Sequence, residues 1–162
     1  MNAEAFRHFY AYHFAENRKV WDYAIQLSHE QFVQSVGYSY GSVREQMLHL
    51  MSAEEVWFCE LRGVPASESV SPADFDDREL IRTKWDGIEQ DIRDYLAGLR
   101  DEDLFDKPIK EPEEDQNLIV WQVLLHVVNH ATDHRAQVLR FLNDLGVKTG
   151  AQDYIFYVYD HP

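Results

Sequence analysis

Cysteine is almost missing from this chain. Cys59 is the only one in 162 residues, so no intramolecular disulfide can form, and a reducing compartment fits. Basic residues are scarce as well: 15 Lys and Arg stand against 29 Asp and Glu, a formal net charge of −14. A surface of that sign repels a phosphate backbone, whose capture rests on clustered Lys and Arg, so nucleic acid is excluded as a general partner. Docking on an anionic membrane is disfavoured for the same reason. No apolar run approaches the roughly 20 residues of a membrane span. The opening MNAEAFRHFYAYHFAENRK lacks the basic start and apolar stretch of a signal peptide. No self-similarity at a period of roughly 20–50 residues marks a repeat array. These absences leave a soluble chain expected in the cytoplasm.

What is present is apolar and periodic. The composition is 45% hydrophobic and 14% aromatic, which excludes extensive disorder and suits one domain spanning residues 1–162. Residues 3–27 repeat Phe6, Phe9, Phe14, Val20, Trp21, Ala24 and Leu27 at helical spacing. Ser28 and Gln31 are placed to cap a short turn, and residues 37–41 read as a loop. Ser42 followed by Glu45 is a capping-box signature, so a second helix begins at Val43 and stops near Arg62, before Gly63 and Pro65. Asp74 or Asp76 can cap a third, over residues 77–100, with the stripe Ile81, Trp85, Ile88, Ile92, Tyr95 and Leu99. Residues 101–117 hold an acidic run and read as a solvated connection, or as a small hairpin around residues 104–109. Asn117 can cap a fourth helix, residues 120–145, which Gly146 ends. The aromatic tail, residues 153–159, is expected to pack across the bundle or onto a partner. Four amphipathic helices without a strong strand run give an all-α four-helix bundle.

The fourth helix carries the chemistry. Its stripe runs Val120, Val123, Val127, Ala131, Val138 and Phe141, and His130 and His134 sit inside it, one turn apart. His126, four residues earlier, rotates to the flank. Side chains at i and i+4 have Cβ atoms about 5–6 Å apart, so the pair can share a metal ion. The competing reading is two core histidines hydrogen-bonded to backbone or to water. A third metal ligand has to come from a facing helix, with His49, His13, Glu54 and Glu60 as the candidates. His13 and Asn17 are neighbours on the first helix. They are either satisfied core polar groups or the wall of a site. His8, His29 and His161 are expected in solvent. A second apolar patch on the fourth helix, Trp121, Leu125, Val128 and Leu139, favours a helix contact beyond the core and hence a homodimer.

Residues 126–137, HVVNHATDHRAQ, with Leu145-Gly146 beyond, resemble the signature helix of the DinB/YfiT-like family. Residues 41–50, GSVREQMLHL, followed by Ala53, Glu54 and Trp57, resemble that family's second helix. Residues 96–104 and 153–157 fit its layout too, so the resemblance covers nearly the whole chain. It implies an up-down-down-up bundle and one divalent metal ion held by three histidines, which map onto His49, His130 and His134. Zinc or nickel come first for such a set, and iron or copper after them. Ala136 replaces a common Gly, and Asp133 stands where some members have another His. Neither is a ligand position. The resemblance further implies a small-molecule substrate and a low-molecular-weight thiol as co-substrate, in a metal-dependent transferase or hydrolase, with His13 and Asn17 lining the mouth. The alternative is a non-enzymatic, stress-associated binding or dimerisation bundle.

Overall fold

The computed structural model describes residues 1–67 and 75–161. Among these, the helices are α1 (Ala3–Ala24), α2 (His29–Val33), α3 (Val43–Arg62), α4 (Arg78–Gly98), α5 (Val120–Asp144) and α6 (Tyr154–Asp160), and no strand occurs. Their ends follow local chemistry. Ser28 and Gln31 complete a reciprocal capping box at α2. Ser42 Oγ accepts the Glu45 N–H at 3.1 Å, but its hydroxyl donates back to the Glu45 carboxylate at 2.9 Å, so only half of the expected box forms. Gly63 closes α3 at φ 64°, in the left-handed region.

Three expectations need correction. Asp77 caps α4 by accepting the Glu79 N–H at 2.9 Å, not Asp76, and Asp74 lies outside the described residues. Asn117 does not cap α5. Its Oδ1 accepts from Lys107 Nζ, and Gln122 Oε1 takes the Ile119 N–H instead, at 3.1 Å. No hairpin forms in residues 101–117; single 3-10 turns at Glu102–Phe105 and Glu113–Asp115 replace it, while Leu104 and Ile109 reach into the core.

The side-chain pairs fix the helix directions. Arg44 meets Asp76, Lys84 meets Glu55 and Arg62 meets Asp91, so α3 and α4 run parallel. Arg7 reaches the carbonyls of Leu96 and Leu99 while Arg18 pairs with Asp86, so α1 and α4 are antiparallel. Tyr10 bonds Leu124 O and Asn17 bonds Arg135, which makes α1 and α5 parallel. Gln46 to Gln137 and Trp57 to His126 make α3 and α5 antiparallel. The bundle is therefore up-down-down-up, with α1 and α3 on one diagonal.

Its core draws on all four long helices, with Phe6, Tyr10, Met47, Met51, Phe58, Ile81, Trp85, Ile92, Leu124 and Val138 all nearly inaccessible. The tail packs on its own chain. Tyr154 sits edge-on to Phe9 and Tyr12, ring centroids 5.3 and 5.1 Å away. Together with Tyr157 it covers His8, which is half-buried rather than solvated. The second apolar patch expected on α5 is largely used up: Val128 is buried, and Trp121, Leu125 and Leu139 are partly buried against the core. Exposed apolar surface lies instead on α6, at Ile155, Phe156 and Tyr159.

Candidate metal centre

Antiparallel packing of α3 against α5 brings residues 81 apart in sequence side by side. His130 and His134 stand one turn apart on α5, ring centroids 4.4 Å apart. His49 enters from α3, its ring 4.9 Å from that of His130 and 4.5 Å from that of His134. One nitrogen from each imidazole can be chosen so that all three lie within 4.8 Å of one another. Among the other candidates for a third donor, His13, Glu54 and Glu60 are not part of this cluster.

The electrostatics favour neutral, electron-donating rings. Burial, then the neighbouring imidazoles of His134 and His130, push His49 down to about 4. Burial and the same kind of neighbour push His130 down to about 4, and burial lowers His134. His49 Nε2 lies 3.1 Å from His130 Nε2. Two such nitrogens need a proton between them or a cation that both serve. His134 has its Nδ1 committed to Gln46 Oε1 at 3.1 Å, which frees its Nε2. Three neutral imidazoles with no carboxylate among them fit a borderline divalent cation such as zinc or nickel.

Two further residues adjoin the cluster, and only the second left a signal in the sequence. Tyr40, on the loop before α3, stacks on His49 at 3.8 Å between centroids and 18° between planes, and remains 48% exposed, so it roofs the cluster without sealing it. Gln46 is fully buried although it lies on the apolar side of α3. A buried amide one turn before a candidate ligand was the legible clue. His126 stays at the flank, exposed, its ring 4.9 Å from Trp57 and 5.6 Å from His130. It also lines a groove of about 450 Å³ with Phe9, Leu125, Asn129 and Thr132, none of which belongs to the histidine cluster.

His13 and Asn17 do not line a mouth: both are buried, in a polar network across the core. Arg135 Nη1 donates to His13 Nδ1 at 3.0 Å and to Asn17 Oδ1 at 2.8 Å. With Nδ1 accepting, His13 Nε2 carries the proton and donates to Glu54 Oε1 at 2.9 Å. Glu54 also accepts from Asn17 Nδ2 at 2.7 Å and from the Trp85 indole at 2.8 Å. A buried cation and a buried anion are thus joined through a neutral imidazole and an amide, with partners from α1, α3, α4 and α5. Arg135 follows His134 directly, so this network also holds the turn of α5 that carries the cluster.

An all-helical bundle with three histidines gathered between two antiparallel helices defines the class: a small helical bundle with a cluster that could hold a metal ion. The model described as "DinB family" matches residues 1–161, and the chain belongs to that family. It is similar to "Protein DinB" of Bacillus subtilis (strain 168), 22% identical over an alignment 162 positions long that takes in 93% of this chain and 91% of that protein.

Proposed function

We propose that the protein is a metal-dependent enzyme in which His49, His130 and His134 hold one divalent cation, and in which a thiol or water attacks a small electrophile. The observation that carries this reading is the convergence of three imidazole nitrogens, held neutral by burial, within 4.8 Å. A cation bound there supplies Lewis acidity that lowers the pKa of a thiol or water toward neutrality. His134, fixed through its Nδ1, and the His130 one turn before it give the donor set its rigidity. Tyr40 covers one face of His49 and restricts access of water from that side. The groove beside His126 has room for the apolar part of a small substrate. A low-molecular-weight thiol is the co-substrate that the family resemblance implies, and the acidic surface disfavours nucleic acid.

A second reading, a non-enzymatic homodimer, draws on the apolar face that Ile155, Phe156 and Tyr159 leave in solvent. Metal analysis and turnover separate the two. Purified protein is expected to carry near-stoichiometric zinc or nickel that His130→Ala loses. Metal-loaded protein, given a panel of thiols and an electrophile, should turn over, and His49→Ala should not. Protein that takes up neither metal on titration ends the metal reading. Loaded protein that is inactive with every thiol and with water leaves the non-enzymatic bundle.

A further inference from the structure

The polar side chains behind the three histidines are ordered in one direction. Gln137 Nε2 donates to Asp133 Oδ2 at 3.1 Å, and a carboxylate can only accept. That leaves Gln137 Oε1 to accept from Gln46 Nε2, at 2.6 Å. Gln46 gives its other amide proton to Ser39 Oγ at 3.1 Å. Its Oε1 then faces His134 Nδ1 at 3.1 Å, and an amide oxygen there requires the proton on Nδ1. Flipping Gln46 alone would set its oxygen against that of Gln137. Flipping both would set an oxygen against Asp133. The negative charge on Asp133 therefore sets the sense of every bond up to His134. Gln46 is wholly buried where a Leu or Met would pack, and a buried amide is costly unless its hydrogen bonds are all made.

We propose that Gln46 is a positioning residue for the histidine cluster: the chain from Asp133 through Gln137 and Gln46 holds His134 in the Nδ1–H tautomer and presents its bare Nε2 to His49 and His130. The inference rests on the metal reading of that cluster for its purpose, though not for its geometry. Gln46 also reaches the loop that lays Tyr40 over His49, because Ser39 adjoins Tyr40 and sits at φ 51°, a strained value for a residue with a side chain. One buried amide thus orients a candidate ligand from one side and anchors the roof from the other.

The test reads the tautomer directly. Long-range ¹H–¹⁵N correlation spectra of metal-free, ¹⁵N-labelled protein at neutral pH should show the His134 proton on Nδ1. In Gln46→Met the signature should move to Nε2–H, and zinc affinity, measured by competition with a chromophoric chelator, should fall about 10–100-fold. Gln46→Glu loses the N–H that serves Gln137 but keeps an acceptor toward His134, so it should keep the Nδ1–H tautomer, whereas a purely packing role would leave the tautomer the same in the Met and Glu variants. Should Gln46→Met fail to fold, Asp133→Ala carries the test from an exposed position, with a mixed His134 tautomer expected. Wild-type His134 found as Nε2–H overturns the proposal. So does folded Gln46→Met with an unchanged tautomer and unchanged zinc affinity. Wild-type protein with the Nδ1–H tautomer that binds no zinc overturns the metal reading and leaves the tautomer assignment standing.

Discussion

Burial and neighbouring imidazoles hold His49 and His130 near 4, while an unfolded histidine protonates near 6.5. His13 is lowered too, by burial, although Glu54 pulls the other way. Burial works to raise Glu54, and the contacts with His13, Trp85 and Asn17 overcome it, leaving its pKa lowered. Between about 6.5 and about 4 the unfolded chain binds more protons than the fold at the histidines, so stability falls as pH falls through that window. The loss from His49 and His130 is complete below about 4. Glu54 adds its own loss lower down, because a depressed carboxylate contributes stability only above its folded pKa. Urea unfolding of metal-free protein in steps from pH 7 to pH 5 should show a steady decline, shallower in His49→Gln. A flat profile over that range would mean that these imidazoles are not desolvated in solution.

At the scale of single elements, what was legible in the sequence was whatever a few neighbouring residues decide. Ser28, Ser42 and Gly63 act on atoms within three residues, and each was readable before the fold was known. The apolar stripes of α1, α4 and α5 were equally local. Asn117 does not cap because the helix begins later: Ile119 stands at the N-cap, two residues beyond it, and Gln122 takes the Ile119 N–H. The role of Glu54 was illegible, since its partners lie on other helices, and so were the α1 partners of Arg135. The His130–His134 pair could be read from spacing, but His49 stood beside three rival donors until the family resemblance singled it out. Two glycines give opposite predictions on the same physics. Gly63 sits at φ 64° with nothing within 4 Å of an added Cβ, so Gly63→Ala should cost about 1–2 kcal/mol from backbone strain alone. Gly87 lies inside α4, exposed and equally unobstructed, so Gly87→Ala should stabilise by up to about 1 kcal/mol. Denaturant titration of both variants checks the signs; a gain at Gly63 would contradict the left-handed end of α3, and a loss at Gly87 an unobstructed position inside α4.

For the whole molecule, the two candidate ligand helices meet only in the folded state. His49 and His130 are 81 residues apart, so the unfolded chain has no comparable three-nitrogen site. A cation bound by the cluster is then linked to folding: unfolding free energy should rise by about 1.4 kcal/mol for each tenfold excess of free metal over its Kd, and by about 2.7 kcal/mol at a hundredfold excess. The net charge of −14 supplies the obvious competitor, loose binding to surface carboxylates. Exposed carboxylates are as available in the unfolded chain as in the folded one, so that binding adds little stability. Magnesium, which prefers oxygen donors, reports on it alone. Thermal unfolding in graded zinc should therefore show a rising midpoint in wild-type protein, no rise in His49→Ala, and no rise with magnesium in either. Parallel shifts of wild type and His49→Ala in zinc would place the stabilising metal somewhere other than between α3 and α5. A logarithmic slope confined to the wild type would tie the cluster to the stability of the whole bundle.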